Sequence, residues 1–161
     1  MFSNMFTRSS RSYFGNRVEN RIMEVPIIRA GERTLVNHIF TARSIDRMVD
    51  LFYEDLKLNR GNRLCGGPAN FNHVDRQSEL RGLTHSVEML YVDSGFLVGV
   101  FKFRDNETAK QCHSMLNSGH CRFYPTISGN NVDGEIYVTS LHSIDIIPTF
   151  NDYDIEWQCI K

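Results

Sequence analysis

Six histidines, four cysteines and a scatter of serines are the side chains that could move a proton or attack a carbonyl. His73 follows a glycine-rich step, Cys65-Gly66-Gly67-Pro68, and an Asn70-Phe71-Asn72 run, with Asp75 and Glu79 close in sequence. A histidine beside an acid can be oriented to act as a general base. His85 sits in Thr84-His85-Ser86, at the start of an alternating segment. A second histidine there can hold the first in one tautomer, as the third member of a triad does. The plainer readings are a polar loop residue for His73 and a structural or solvent-facing one for His85.

A base needs a nucleophile, and the candidates are Cys121, Ser128, Ser118 and Ser114. No G-x-S-x-G elbow is present to present a serine on a sharp strand-to-helix turn. Ser128-Gly129 reads as a strand running into a turn, a common place for a structural serine. Cys121 alternates with Phe123 and reads as core. The histidines show neither H-x-x-x-H nor H-E-x-x-H spacing, and the cysteines form no C-x-x-C pair, so no metal is expected. With no P-loop and no G-x-G-x-x-G, no cofactor is expected either.

A chain of 161 residues fits one domain with room for tails, and a domain of that size can build a core without staples. The composition, 41% hydrophobic and 23% charged, is that of a globular protein. A formal net charge of −1 gives no general attraction to nucleic acid or to an anionic membrane. No apolar run approaches the ~20 residues needed to cross a bilayer. Four scattered cysteines are too few for a disulfide scaffold and read as reduced thiols of a cytoplasmic product.

The elements that must position these side chains follow from period and punctuation. Ile22 to Ile28 reads as a first strand, with Pro26 confining it to a sheet edge or a bulge. Thr34 to Phe40 reads as a second strand. Ser44 reads as the N-cap of a helix over 44–57, with Ile45, Met48, Val49, Phe52 and Leu56 on one face. Gly66-Gly67-Pro68 argues against regular structure, and 70–81 reads as loop. Ser86 to Val92 and Phe96 to Phe103 read as a hairpin around a three-residue Asp93-Ser94-Gly95 loop. The second of these strands is apolar on both faces and so central. Asp105 or Asn106 caps a helix that buries Ala109, Cys112, Met115 and Leu116 and stops at Gly119. Cys121 to Ile127 reads as a strand interrupted by Pro125, Asn130 to Gly134 as a turn, and Ile136 to Ile147 as a long strand. The order predicts an α+β domain over 22–148: a mostly antiparallel sheet or barrel with two helices.

Two segments lie outside that domain. Met1 to Arg21 carries Arg8, Arg11, Arg17 and Arg21 against one acid, Glu19, with no period of 2 or 3.6. It reads as a disordered tail or as an extended arm that orders on a partner, and its aromatic content favours the arm. Phe2, Phe6, Tyr13 and Phe14 would be its anchors, and Arg8, Arg11 and Arg17 would pair with acidic or carbonyl-rich surface. The tail 149–161 holds Phe150, Tyr153, Ile155 and Trp157 beside Asp152, Asp154 and Glu156. It would add a strand or dock on a partner.

The order of motifs then carries a resemblance. A helix with Phe52-Tyr53 near its end precedes a basic glycine-rich loop, Gly61-Asn62-Arg63-Leu64-Cys65-Gly66. Asn72-His73, Thr84-His85-Ser86-Val87 and an Asp-Ser-Gly-Phe-Leu-Val-Gly hairpin follow. A short helix ends in Asn117-Ser118-Gly119, and a late strand reads Ile144-Asp145-Ile146-Ile147-Pro148. Over roughly Ile39 to Pro148 this resembles the prohead proteases of tailed phages, which share a fold with the herpesvirus assembly protease.

The resemblance implies a serine protease that trims scaffold and capsid proteins inside the immature head, with His73 as the catalytic histidine. The family's glutamate in the histidine loop is missing. Its Ser-Ser-Arg-Gly run is replaced by Tyr124-Pro125-Thr126-Ile127, so Tyr124 or Pro125 stands where the nucleophile belongs. A proline has no proton to give up, and a tyrosine hydroxyl has an ordinary pKa near 10. Losing the nucleophile alone removes most of a triad's advantage. The expected role is therefore a virion structural protein of the phage head, made in the host cytoplasm, with His73 and His85 as vestiges. It would act in decoration, cement or head completion, binding the major capsid protein or other head proteins in multiple copies. The alternative is an active prohead protease with Ser128 as a displaced nucleophile.

Overall fold

The computed structural model describes residues 21–34, 37–58, 64–68 and 83–149. The arm up to Asn20, the tail beyond Thr149 and the segment holding His73 lie outside these residues. Among the described residues the elements run β1 (Ile22–Arg29), α1 (Ala42–Leu58), β2 (Cys65–Gly66), β3 (His85–Asp93), β4 (Phe96–Phe103), α2 (Glu107–Asn117), β5 (Cys121–Val132) and β6 (Glu135–Pro148). The first four strands form one antiparallel sheet in the order β1-β4-β3-β2, and β5 and β6 form a long antiparallel ribbon. The fold is α+β, as the element order predicts. No helix among the described residues is long and apolar enough to cross a membrane.

β1 lies at the sheet edge, where Pro26 costs no ladder bond, and its register slips between Pro26 and Ile28. β4 is interior, and Leu97, Val98, Phe101 and Phe103 are all buried. The β3–β4 loop is shorter than expected. Asp93 still pairs with Phe96, which leaves two loop residues, Ser94 and Gly95, both at positive φ (52° and 81°). Positive φ at both centres matches the right-handed twist of the flanking strands.

α1 begins earlier than Ser44. Thr41 is the cap: its Oγ1 accepts from the Ser44 backbone N–H at 3.2 Å, and Ser44 Oγ accepts from the Thr41 N–H at 3.1 Å. This is a capping box with serine in the third position. Ser44 is buried and also donates to the carbonyl of Ile136 at 2.7 Å, so the helix start is tied to β6. Ile45, Met48 and Phe52 form its buried stripe, with Val49 and Leu56 half-buried beside it. α2 is capped by Asn106, whose Oδ1 accepts from the Ala109 N–H at 2.8 Å. Ala109 and Cys112 are buried there, but Met115 is 42% exposed, one step off the inward face.

Three further expectations change. Thr34 to Phe40 is not a strand: Asn37 takes a left-handed φ of 67°, Thr34 and His38 bond across the turn, and Ile39 makes isolated bridges to Arg33 and to Glu135. Cys65–Gly66 does join the sheet, pairing with Ser86 and His85, and Pro68 bridges Ile146. β5 runs through Pro125 and on to Val132, so the turn shrinks to Asp133-Gly134 at φ 54° and 84°. Two residues of β6, Thr139 and His142, have no partner in the register. These bulges let a long ribbon bend over the core.

Candidate functional site

The polar groups of chemical interest meet where β2, β3 and β6 come together, at the root of the 69–82 segment. His85 opens β3 and is wholly buried. Its Nε2 lies 2.7 Å from the carbonyl oxygen of Ile144, and its Nδ1 lies 2.9 Å from Thr84 Oγ1. A carbonyl can only accept, so Nε2 carries the proton and Nδ1 accepts from the threonine hydroxyl. Phe101, Phe103 and Phe123 surround the ring at 5.4, 5.8 and 5.1 Å. Burial in this aromatic box lowers the pKa of His85 from 6.5 to about 4, against the opposing pull of the Ile144 carbonyl and Asp145. The imidazole is neutral at neutral pH, and both nitrogens are taken.

Asp145, next along β6, gathers three donors. Thr126 Oγ1 donates to its Oδ2 at 2.6 Å, Ser143 Oγ donates to the same oxygen at 2.7 Å, and the Gly67 N–H donates to Oδ1 at 3.2 Å. Gly66 fits only because it lacks a side chain: a Cβ there would collide with the Ile144 carbonyl and lie 2.8 Å from His85 Nε2. The Ile146 N–H donates to Gly67, and the Thr84 N–H donates to Gly66. Both ends of the segment that carries His73 are thus clamped to one buried polar network. His73 itself lies outside the described residues.

The positions where the resemblance places a nucleophile sit on β5 directly above this network. Pro125 is buried and paired with Ile144. Tyr124 is half-buried, with its ring edge-on to Phe40 at 6.2 Å and the Arg122 guanidinium 5.6 Å from its centroid. The hydroxyl of Thr126 is turned to Asp145. Ser128 lies further out, exposed, with its Oγ 2.6 Å from His142 Nε2. It is brought to His142 and not to His85. Ser118 is likewise exposed, 2.6 Å from His120 Nδ1. Burial raises the thiol pKa of Cys112, with a further push from Cys121, and raises that of Cys121 too. Both thiols stay protonated at neutral pH and are poor nucleophiles in that form.

Sequence reasoning missed Thr84, Thr126, Ser143, Asp145 and His142. The alternation of Thr126 and Ser128 along β5 was a usable signal for the first two hydroxyl positions of that strand. The pairing of Thr126 with Asp145 depends on register across the ribbon, and that of Ser128 with His142 on a bulge, neither of which local sequence states. Among the described residues, no group of three or more His, Cys, Asp or Glu side chains could hold a metal ion. The proposed anchors Phe2, Phe6, Arg8, Arg11, Tyr13, Phe14 and Arg17 lie outside the described residues.

No protein-family model matches the chain, and no curated protein matches it. Among solved structures, the bacteriophage T4 capsid assembly protease, gp21, is similar, with a TM-score of 0.52 at 11% sequence identity. The match covers 78% of this chain and 80% of that one. The chain therefore has a prohead-protease-like α+β fold.

Proposed function

We propose that this chain is a phage head protein that uses a protease fold for binding rather than for hydrolysis. The observation that carries the reading is the state of β5 above the His85–Asp145 network. Pro125 is packed into the β5–β6 ladder, and the neighbouring Thr126 hydroxyl donates to a carboxylate. A serine protease needs an oxygen there that hands its proton to a histidine. His85, the candidate to orient His73, has both nitrogens engaged by Thr84 and Ile144.

In this reading the major capsid protein or a neighbouring head protein is the partner, the chain is present in multiple copies in the virion, and the Arg- and aromatic-rich segment 1–21 is the arm that engages it. Mass spectrometry of washed particles tests it. The expected result is intact chain at a fixed ratio to capsid protein; its absence from particles would overturn the reading.

A second reading, an active prohead serine protease, is favoured by the Ser128–His142 pair at 2.6 Å. That distance suits general-base activation of a hydroxyl. Cleavage of capsid or scaffold protein that disappears with Ser128→Ala would establish it.

A further inference from the structure

The two edges of the β5–β6 ribbon are treated differently. On the β6 side the backbone is capped. The Ile39 N–H donates to Gly134 at 2.8 Å, the Ile136 N–H donates to Ile39 at 3.0 Å, and Ser44 Oγ donates to the Ile136 carbonyl. On the β5 side the lower half of the edge is tied to the rest of the fold by a side chain alone. There Arg122 donates to the Ile27 carbonyl at 2.6 Å and pairs with Glu32 at 3.1 Å. From Ile127 to Val132 the outer edge of β5 meets no strand among the described residues. Ser128 through Val132 are all exposed, and so is Tyr137, opposite Asn130 on β6.

Exposed edges are normally blunted by charge, proline or a bulge. This one has none of them. Ile127-Ser128-Gly129-Asn130-Asn131-Val132 contains no charged residue and no proline. Both bulges of the ribbon place their extra residue on β6, so β5 keeps an unbroken register. A two-stranded ribbon is also marginal alone and gains from a third strand.

We propose that this edge pairs antiparallel with the same edge of a second copy of the chain, joining two ribbons into a four-stranded sheet. The segment is its own complement. A two-fold axis at Asn130 sets Asn130 against its equal, whose amide both donates and accepts, and sets Ser128 against Val132 of the other copy. No like charges are opposed, which is what disfavours most strands from pairing with themselves. An interface of about six residues per strand is small beside the ~1,200–2,000 Å² of a stable complex, so the dimer forms and dissociates with concentration.

Sedimentation of the full chain over a concentration series tests this, with circular dichroism confirming that each variant is folded. Wild type is expected to pass reversibly from monomer to dimer. Asn130→Lys and Asn130→Glu, each placing like charges across the axis, are expected to stay monomeric, and a 1:1 mixture of the two to dimerise again. The edge amides of 127–132, those that point away from β6, should lose hydrogen-exchange protection on dilution, in step with the dimer. A wild type that is monomeric at every concentration would overturn the proposal. So would a dimer that survives both substitutions, a mixture that fails to pair, or edge amides protected in the monomer. None of these readouts depends on whether the chain cleaves protein, so this test and that of the proposed function fail separately.

Discussion

His85 Nε2 and the Ile144 carbonyl oxygen, 59 positions apart in sequence and 2.7 Å apart in space, join the four-stranded sheet to the ribbon. A side chain donating to a strand carbonyl removes one acceptor that the sheet would otherwise leave unpaired. It also sets Gly66 against Ile144, and with it the start of the segment that carries His73.

Stability should fall with acid through this histidine. In the unfolded chain it takes up a proton near 6.5, and in the folded chain only near 4. Between these values the unfolded state binds more protons, so stability is full above about pH 6.5, declines as pH falls towards 4, and levels off below. A shift of that size corresponds to about 3 kcal/mol over the window. Urea midpoints at several pH values should show the decline in wild type and a flatter profile in His85→Gln.

Gly66→Ala should be costly although it adds one methyl group. The new Cβ meets a backbone oxygen and a buried ring, neither of which is a flexible side-chain end. Overpacking of this kind costs about 1–3 kcal/mol. A thermal melt should show the loss, and hydrogen exchange should show faster opening at Thr84 and Ile146, whose amides bond to Gly66 and Gly67.

Thr41→Ala and Ser44→Ala should each destabilise the fold by about 1–2 kcal/mol, since each removes half of a reciprocal cap and a bond to the ribbon. Because the two hydroxyls share one network, the double variant should lose less than the sum of the singles. Denaturant titration of the three variants measures this.

What local sequence states and what it omits separate along physical lines. The buried stripe of α1 is legible because its burial follows the helical period, and β1 and β4 because each is an apolar run bounded by turn residues. Ser44 reads as the cap in place of Thr41 because a serine in the first turn looks like one until its bond to Ile136 is seen. β5 extends through Ser128-Gly129-Asn130-Asn131, a turn-like run, because β6 supplies the ladder that local propensity does not. His85 could not be placed because its partner is a backbone carbonyl on a distant strand, and Thr84-His85-Ser86 reads the same facing water as facing a core. The resemblance drawn from motif order reached the right fold. What it implied for His73, and the anchors read from the composition of the arm, fall on residues outside those described.

The central claim is that a protease fold here binds without cutting. The most direct test incubates the full chain with the capsid and scaffold proteins and reads their intact masses. Unchanged masses are expected, in wild type as in His73→Ala and Ser128→Ala. Cleavage products that appear with wild type and vanish with either substitution would contradict it.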